Sequence, residues 1–397
     1  MKIVQINSVY GVGSTGRIAM DLQNYMLENG IDARTIYGYG NGDYENTFKM
    51  QSNTELKLNI ALGRITGHHG FYNYFPTKRA IAYLEQEKPD VIHLHNIHGY
   101  FINVPMLMRY IKKNDVPVVW TFHDCWPFTG HCCYFDDYKC EKWKTGCHDC
   151  AAWGDEYSII MGDRSKKNWI EKKALFSGLS KCVLVSPSQW LADFFKESFL
   201  KDYPANIIHN GIDIDVFKPT ESNIKQELGI EGKKMVLGIA PDLDGPKGGK
   251  YMVELAKRLG ADYAVVILSL KTDVQMPENV YILPRTNSTT RLAEIYSAAD
   301  VFVNPTLHDN YPTVNLEATA CGTPVITFQT GGSPEGVMKG FGSIVEKESI
   351  DQMYQEVIRW TTEDHKQLSG FTDTAVLGKE FFAQHYLELY KEIMEKT

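Results

Sequence analysis

The stretch of residues 304–332, NPTLHDNYPTVNLEATACGTPVITFQTGG, leaves little choice of architecture. It begins where the apolar run DVFVNP ends, and such a Val/Phe run bounded by Asp300 and Pro305 reads as a buried strand. Pro312 suits the first turn of a helix, which continues through Val314, Leu316 and Ala318 until Cys321 and Gly322 stop it. The PVITF run from Pro324 is then a second strand. Strand, loop, helix and strand in so few residues predict a parallel crossover. Asp309 falls in the loop ahead of the helix and Glu317 one to two turns inside it. Both are therefore expected at the carboxyl ends of parallel strands, where open α/β sheets bind ligands. His308 and Asn310 add ring nitrogens and an amide beside Asp309, in the kind of loop where binding residues concentrate. A solvated helix face would account for Glu317 alone; the polar cluster and the small-residue ATACG face after it favour a site.

The alternation recurs along the chain. KMVLGIA, YAVVILS and VYILP read as strands before DVFVNP, and 2–7, 33–37, 90–94, 116–122, 181–186 and 205–209 read so earlier. Such repetition predicts an α/β protein with doubly wound parallel sheets, and 397 residues suit two domains. Gly211 and the Pro219 turn suit a boundary. With 43% hydrophobic and 23% charged residues the composition is globular, and a formal charge of −8 argues against a general nucleic-acid binder. The start, MKIVQINSVYGVG, reads as a strand entering a glycine-rich turn, without the features of a signal peptide. No apolar stretch is long enough for a bilayer. We expect a soluble, cytoplasmic chain whose membrane contact, if any, is peripheral.

Along nearly all its length, and most specifically from Lys247 through Val337, the chain resembles retaining glycosyltransferases of family 4, which have the GT-B fold. The EATACGTPVI and TGGSPEGV blocks carry the likeness, together with an acid pair at the E-x7-E spacing of that family. There the first acid lies by the donor sugar and the second bonds the nucleotide ribose. Carried over, Asp309, one methylene shorter than the family's Glu, takes the sugar role and Glu317 the ribose role. The resemblance implies two Rossmann-like domains facing a cleft. The first, acceptor-binding, would be 1–210 with a terminal helix at 378–397 crossing back to it; the second, donor-binding, would be 211–377. It further implies transfer of a sugar from a nucleoside diphosphate donor to a glycan or lipid-linked acceptor, with retained anomeric configuration and no cofactor required for catalysis. HDCWPFTG and the cysteines after it narrow the likeness to enzymes that build bacterial surface polysaccharides of capsule, colanic acid or O-antigen (lipopolysaccharide) type. A catalytically silent scaffold of the same fold and an NAD-dependent Rossmann enzyme stand as alternatives.

Several further positions are candidates. Gly11, Gly13 and Gly16 break the chain before a helix, where backbone N–H groups favour an anion. The strand after it ends in Gly38-Tyr39-Gly40 with no acid at its tip, which disfavours NAD. Gly13 is assigned to the donor and Gly16 to the acceptor. His95, Asn96 and His98 follow the strand at 90–94 and are expected to face the acceptor, although ordinary loop hydrogen-bonders would look the same. His123 and Asp124 sit at the tip of the next strand; the family likeness puts His123 against the transferred sugar and Asp124 near the acceptor. Lys247, before two glycines at a helix start, suits a pyrophosphate. The family's clamp arginine is missing at 242–244, and Arg285, at another strand tip, is the positional substitute. His308, Asn310, Tyr311, Pro312 and Thr313 complete the expected donor set.

Cys132, Cys140, Cys147 and Cys150 crowd a segment without strand pattern. Four thiols with a terminal C-x-x-C could close a tetrahedral structural zinc site; buried reduced thiols are the alternative. Arg164, Lys166, Lys167, Lys172 and Lys173 read as the solvated face of a helix at 166–176, or, more sharply, as a contact with anionic lipid headgroups.

Overall fold

A computed structural model describes residues 1–40, 42–154, 159–362 and 374–396. The chain forms two compact units, Met1–His209 with Phe382–Thr397, and Asn210–Phe381.

The first unit runs β1 (Lys2–Val9), α1 (Gly13–Glu28), β2 (Asp32–Tyr39), β3 (Thr47–Lys49), α2 (Asn53–Thr66), α3 (Tyr74–Glu87), β4 (Val91–Leu94), α4 (Val104–Asn114), β5 (Val118–Thr121), α5 (Ser165–Phe176), β6 (Cys182–Ser186), α6 (Gln189–Glu197) and β7 (Ala205–Ile207). Its sheet is parallel throughout, in the order β3-β2-β1-β4-β5-β6-β7. Successive strand residues go to opposite faces, and both faces are apolar here. Val4, Ile6, Ile92, Leu94 and Trp120 join one core, while Ile3, Val91, Val119 and Val185 join another. The helices begin where local chemistry starts them. Ser52 and Glu55 form a reciprocal capping box on α2, and Asn103 and Ser188 cap α4 and α6 with their side chains.

The second unit runs α7 (Ile224–Glu227), β8 (Lys234–Ile239), α8 (Gly249–Arg258), β9 (Tyr263–Leu268), β10 (Val280–Leu283), α9 (Thr289–Ala298), β11 (Val301–Asn304), α10 (Thr313–Ala320), β12 (Val325–Phe328), β13 (Gly342–Val345) and α11 (Ile350–Thr362). Its strands, also parallel, take the order β10-β9-β8-β11-β12-β13. Met235, Leu237 and Phe302 face one core; Val236, Val301 and Val303 face the other. The last helix, α12 (Lys379–Glu395), sends Phe382, Tyr386, Tyr390 and Ile393 into the core of the first unit beside Ile3 and Val119.

Both sheets reverse direction beside their first strand, between β1 and β4 in one and between β8 and β11 in the other. In doubly wound sheets that reversal opens a crevice at the carboxyl ends of the strands. Each unit therefore has one place where its topology exposes loop residues to a ligand.

Candidate functional site

In the second unit the loops after β8 and β11 are bound to each other. The Leu307 N–H donates to Pro246 O at 2.8 Å, and Thr306 and Thr330 hydroxyls hold the carbonyls of His308 and Leu307. Gly248 has φ +74° and a Cβ there would lie 2.1 Å from Pro305 O; Gly331, at φ +55°, would strike Asp309 O at 2.0 Å. Side-chainless residues are thus required where the loops close on one another. Their closure brings Lys247 Nζ to 2.5 Å from Asp309 Oδ2, with 42% and 16% of the two side chains exposed. The second Asp309 oxygen accepts the Asn310 N–H at 2.9 Å.

Beneath this loop lies a buried polar frame. Asn304 donates to Asn315 Oδ1 at 2.8 Å, Asn315 Nδ2 reaches Ser333, and Thr327 bridges Asn304 O and Ser333 Oγ. Each member is satisfied by another, the condition under which a buried polar network orders what sits on it. Asn310, Tyr311, Pro312 and Thr313 are all buried in the turn that enters α10, and burial pushes the Tyr311 phenol upward. His308 is half-buried. Glu317 is not on a solvated face: it is 3% exposed, and Tyr296 of α9 donates to its Oε2 at 3.0 Å. The helix turns this carboxylate inward because α10 is covered along nearly its whole length. Arg285 stands apart from the Lys247–Asp309 pair. It is exposed after β10, the edge strand, with β9 and β8 between its strand and β11.

In the first unit a buried file of imidazoles runs from β4 to the loop after β5. His93, His95 and His123 form a file of imidazoles, with ring centroids 4.0 Å apart for the first pair and 5.4 Å for the second. Gln5 commits its amide nitrogen to Ala19 O and Thr35 Oγ1, so its oxygen accepts from His95 Nε2 at 2.9 Å. His95 Nδ1 must then accept, and the donor is His123 Nε2 at 3.1 Å. The network thereby fixes the tautomer of His123 and leaves its Nδ1 as the acceptor nitrogen. Burial is the main cause that pulls the His123 pKa down to about 4, and it drives His93 and His95 well below the ordinary value. All three are neutral at pH 7. His95, expected to face an acceptor, is instead buried behind His123 with both nitrogens engaged, because β4 aims it into the sheet face that α12 covers. Gln5 and His93, which hold this file in place, do not stand out in the sequence. A glutamine or histidine inside a short apolar run was the available signal.

His98 and Asp124 pair at 2.7 Å beside the Trp126 ring. Burial raises the Asp124 pKa, but His98 and the Trp126 N–H hold it below the usual carboxylate range. Asn96 is half-buried and its carbonyl accepts from Ser8. Gly13 is exposed at the start of α1 with φ +66°, and Gly16 is buried under the turn, its carbonyl taken by the Gly11 N–H. Lys172 departs from the solvated face assigned to it. It is 1% exposed, lies 3.5 Å from the Trp126 ring centre, and donates to Trp126 O and Thr129 O. Burial brings its pKa down to about 7. The lysine thus anchors the WPF turn from below.

The structure brings Cys132 Sγ and Cys150 Sγ to 3.9 Å, and the Gly130 N–H donates to Cys147 Sγ at 3.1 Å. Cys140 and Cys147 pack against the same core. Among the described residues the four thiols do not converge on one point; the ligand atoms lying within 4.8 Å of one another are those of His98, Asp124 and Cys133.

Two families match the chain: glycosyltransferase family 4 over residues 15–216 and glycosyl transferases group 1 over residues 220–370. A relative from Escherichia coli K12, the glycosyl transferase WcaC assigned to colanic acid biosynthesis, is 30% identical over 372 residues, covering 89% of this chain and 90% of its own. Sucrose-phosphate synthase from Thermosynechococcus elongatus superposes with a TM-score of 0.69 at 14% identity, covering all of both chains. Anabaena Alr3699/HepE in complex with UDP-glucose does so with a TM-score of 0.62 at 14% identity, covering 100% and 99%. Two Rossmann-like units with these neighbours make the fold GT-B. The chain belongs to glycosyltransferase family 4.

Proposed function

We propose that this chain moves a sugar from a nucleoside diphosphate sugar to a glycan or lipid-linked acceptor in surface polysaccharide biosynthesis, retaining the anomeric configuration. The observation that carries this reading is the Lys247–Asp309 pair at the β8/β11 reversal, an ammonium and a carboxylate held where the fold exposes a crevice. A half-exposed pair of this kind is worth about 0–1 kcal/mol, so a ligand can exchange it. A donor diphosphate takes the ammonium, and Asp309, released, accepts hydrogen bonds from sugar hydroxyls. Glu317, backed by Tyr296, is assigned to the ribose. The second unit is thus the donor unit, and the first, with His98, Asp124 and the neutral His123, is the acceptor unit. The WcaC relative and the UDP-glucose complex of the Anabaena protein support the same direction.

In the reaction the bond between the anomeric carbon and the diphosphate oxygen breaks, and the diphosphate leaves with the bonding pair. The acceptor hydroxyl adds to the same face of that carbon, and its proton passes to a leaving-group oxygen. Lys247 stabilises the charge that develops there, the kind of interaction worth a factor of about 10²–10³ in rate. A structural zinc on the cysteine segment is a separate proposal. The 3.9 Å between Cys132 and Cys150 matches the edge of about 3.8 Å of a tetrahedron with Zn–S near ~2.3 Å, and Cys140 and Cys147 would have to close on that pair.

The test is a panel of UDP-, GDP-, ADP- and dTDP-sugars incubated with the full chain. Sugar release from one donor, lost in Asp309→Ala, is expected. No release from any donor, or release unchanged in that variant, contradicts the proposal.

A further inference from the structure

The large exposed apolar side chains of the first unit are gathered rather than scattered. Leu58 and Ile65 lie seven residues apart on α2, hence on one side of it. The Ile160 and Met161 N–H groups donate to Arg64 O and Ile65 O at 2.8 and 2.9 Å, which lays that segment along the last turn of the same helix. Asn59 of α2 bonds Asn73, so Tyr74 and Phe75 at the start of α3 adjoin it. Ile160 is 76% and Phe75 71% exposed. Six such side chains on one surface are more than an isolated soluble face needs.

Among the described residues, exposed basic side chains surround them. Lys57 and Arg64 alternate with Leu58 and Ile65 on α2 and are exposed. Asn168 of α5 donates to Gly67 O at the end of α2, and this neighbouring helix exposes Lys166, Lys167 and Lys173 around an exposed Ile170. Among the described residues the acids nearby are engaged: Glu55 with Ser52 and Arg79, Glu171 with His68 and Arg164, and Asp163 with the N–H groups of Cys150 and Ser165. In a chain of net charge −8, the described residues thus give this apolar surface a basic rim.

We propose that this face, formed by α2, the start of α3, residues 160–161 and α5, lies on an anionic lipid surface, with the apolar side chains in the headgroup boundary and the lysines on lipid phosphates. A second copy is disfavoured as the occupant, because a two-fold contact through this patch sets basic rim against basic rim. The proposal rests on the lipid-linked-acceptor form of the function above and adds the surface that would meet the lipid.

Co-sedimentation of the full-length protein with phosphatidylcholine vesicles, with and without phosphatidylglycerol, tests it. Binding is expected to be at least tenfold tighter with phosphatidylglycerol and to weaken in high salt. Ile160→Ser/Met161→Ser and Lys166→Glu/Lys167→Glu should each lose at least tenfold, with sugar release from soluble donor and the circular dichroism spectrum unchanged. Equal binding to both vesicles, no binding, or variants that bind like the parent would overturn it. So would a dimer in sedimentation velocity that the Ile160/Met161 substitutions dissociate. Vesicle binding without donor hydrolysis sinks the functional reading alone; hydrolysis without vesicle binding sinks this surface alone.

Discussion

The two units share a strand order and differ in what they place at its reversal. Between β8 and β11 the loops hold opposite charges near solvent, Lys247 against Asp309, with the buried Glu317 behind them. Between β1 and β4, and at the neighbouring β5 tip, imidazoles stand in a dry file, neutral through burial and fixed in tautomer by Gln5, with the one carboxylate beside them, Asp124, already committed to His98. One arrangement can exchange a weak ion pair for a charged ligand at little cost. The other cannot bind charge cheaply but can present an oriented lone pair. In the proposed reading the first is the place for a donor's anion and the second the place for an acceptor's hydroxyls.

Removing the charge should separate the units most sharply. Lys247→Ala is expected to lower the transfer rate by about 10²–10³ with the melting temperature nearly unchanged. An equal loss from an alanine at Arg285 would mean that the edge-strand arginine shares the task.

Acid should act on the other unit. His123 has a folded-state pKa depressed to about 4 against about 6.5 unfolded, so the unfolded chain binds more protons between those values. Stability is then full above about pH 6.5 and falls as pH drops toward 4, by on the order of 3 kcal/mol for this residue. Urea melts at stepped pH should show that slope, and His123→Gln should flatten part of it. A pH-independent midpoint would refute the neutral file.

Glu317 tests the second unit from beneath. Glu317→Ala leaves the Tyr296 hydroxyl buried without that partner and should cost about 1–3 kcal/mol; Glu317→Gln, which keeps an acceptor, should cost less. Denaturant midpoints of the two variants would rank them. The cysteine segment gives the smallest and most local effect. If Cys140 and Cys147 close on the Cys132–Cys150 pair, as the zinc proposal requires, elemental analysis finds about one zinc per chain and a chelator lowers the melting temperature. Zinc-free protein with eight titratable thiols would leave Cys132 and Cys150 as packed, reduced side chains.

Much of this was legible in the sequence because period and punctuation carry it. DVFVNP, Pro312 and Gly322 set a strand, a helix start and a helix stop, and β11, α10 and β12 follow them. Lys247 and Asp309 could be placed at strand tips but not in contact, since their meeting depends on how Gly248 lets one loop close on Pro305. The inward turn of Glu317 and of Lys172 was not readable. A charge on an amphipathic stretch looks solvated until the partner that buries it, Tyr296 in one case and the Trp126 ring in the other, is known in space. Nor were β13 and α11 legible, because Gly342 weakens the strand pattern and the helix follows without a turn motif.

The central claim is that the second unit grips a nucleoside diphosphate through Lys247. Titration calorimetry of UDP and GDP into the parent chain and into Lys247→Met decides it directly. Saturable binding of at least one diphosphate is expected, with an affinity at least tenfold weaker in the variant. Equal affinity in the two proteins would contradict it.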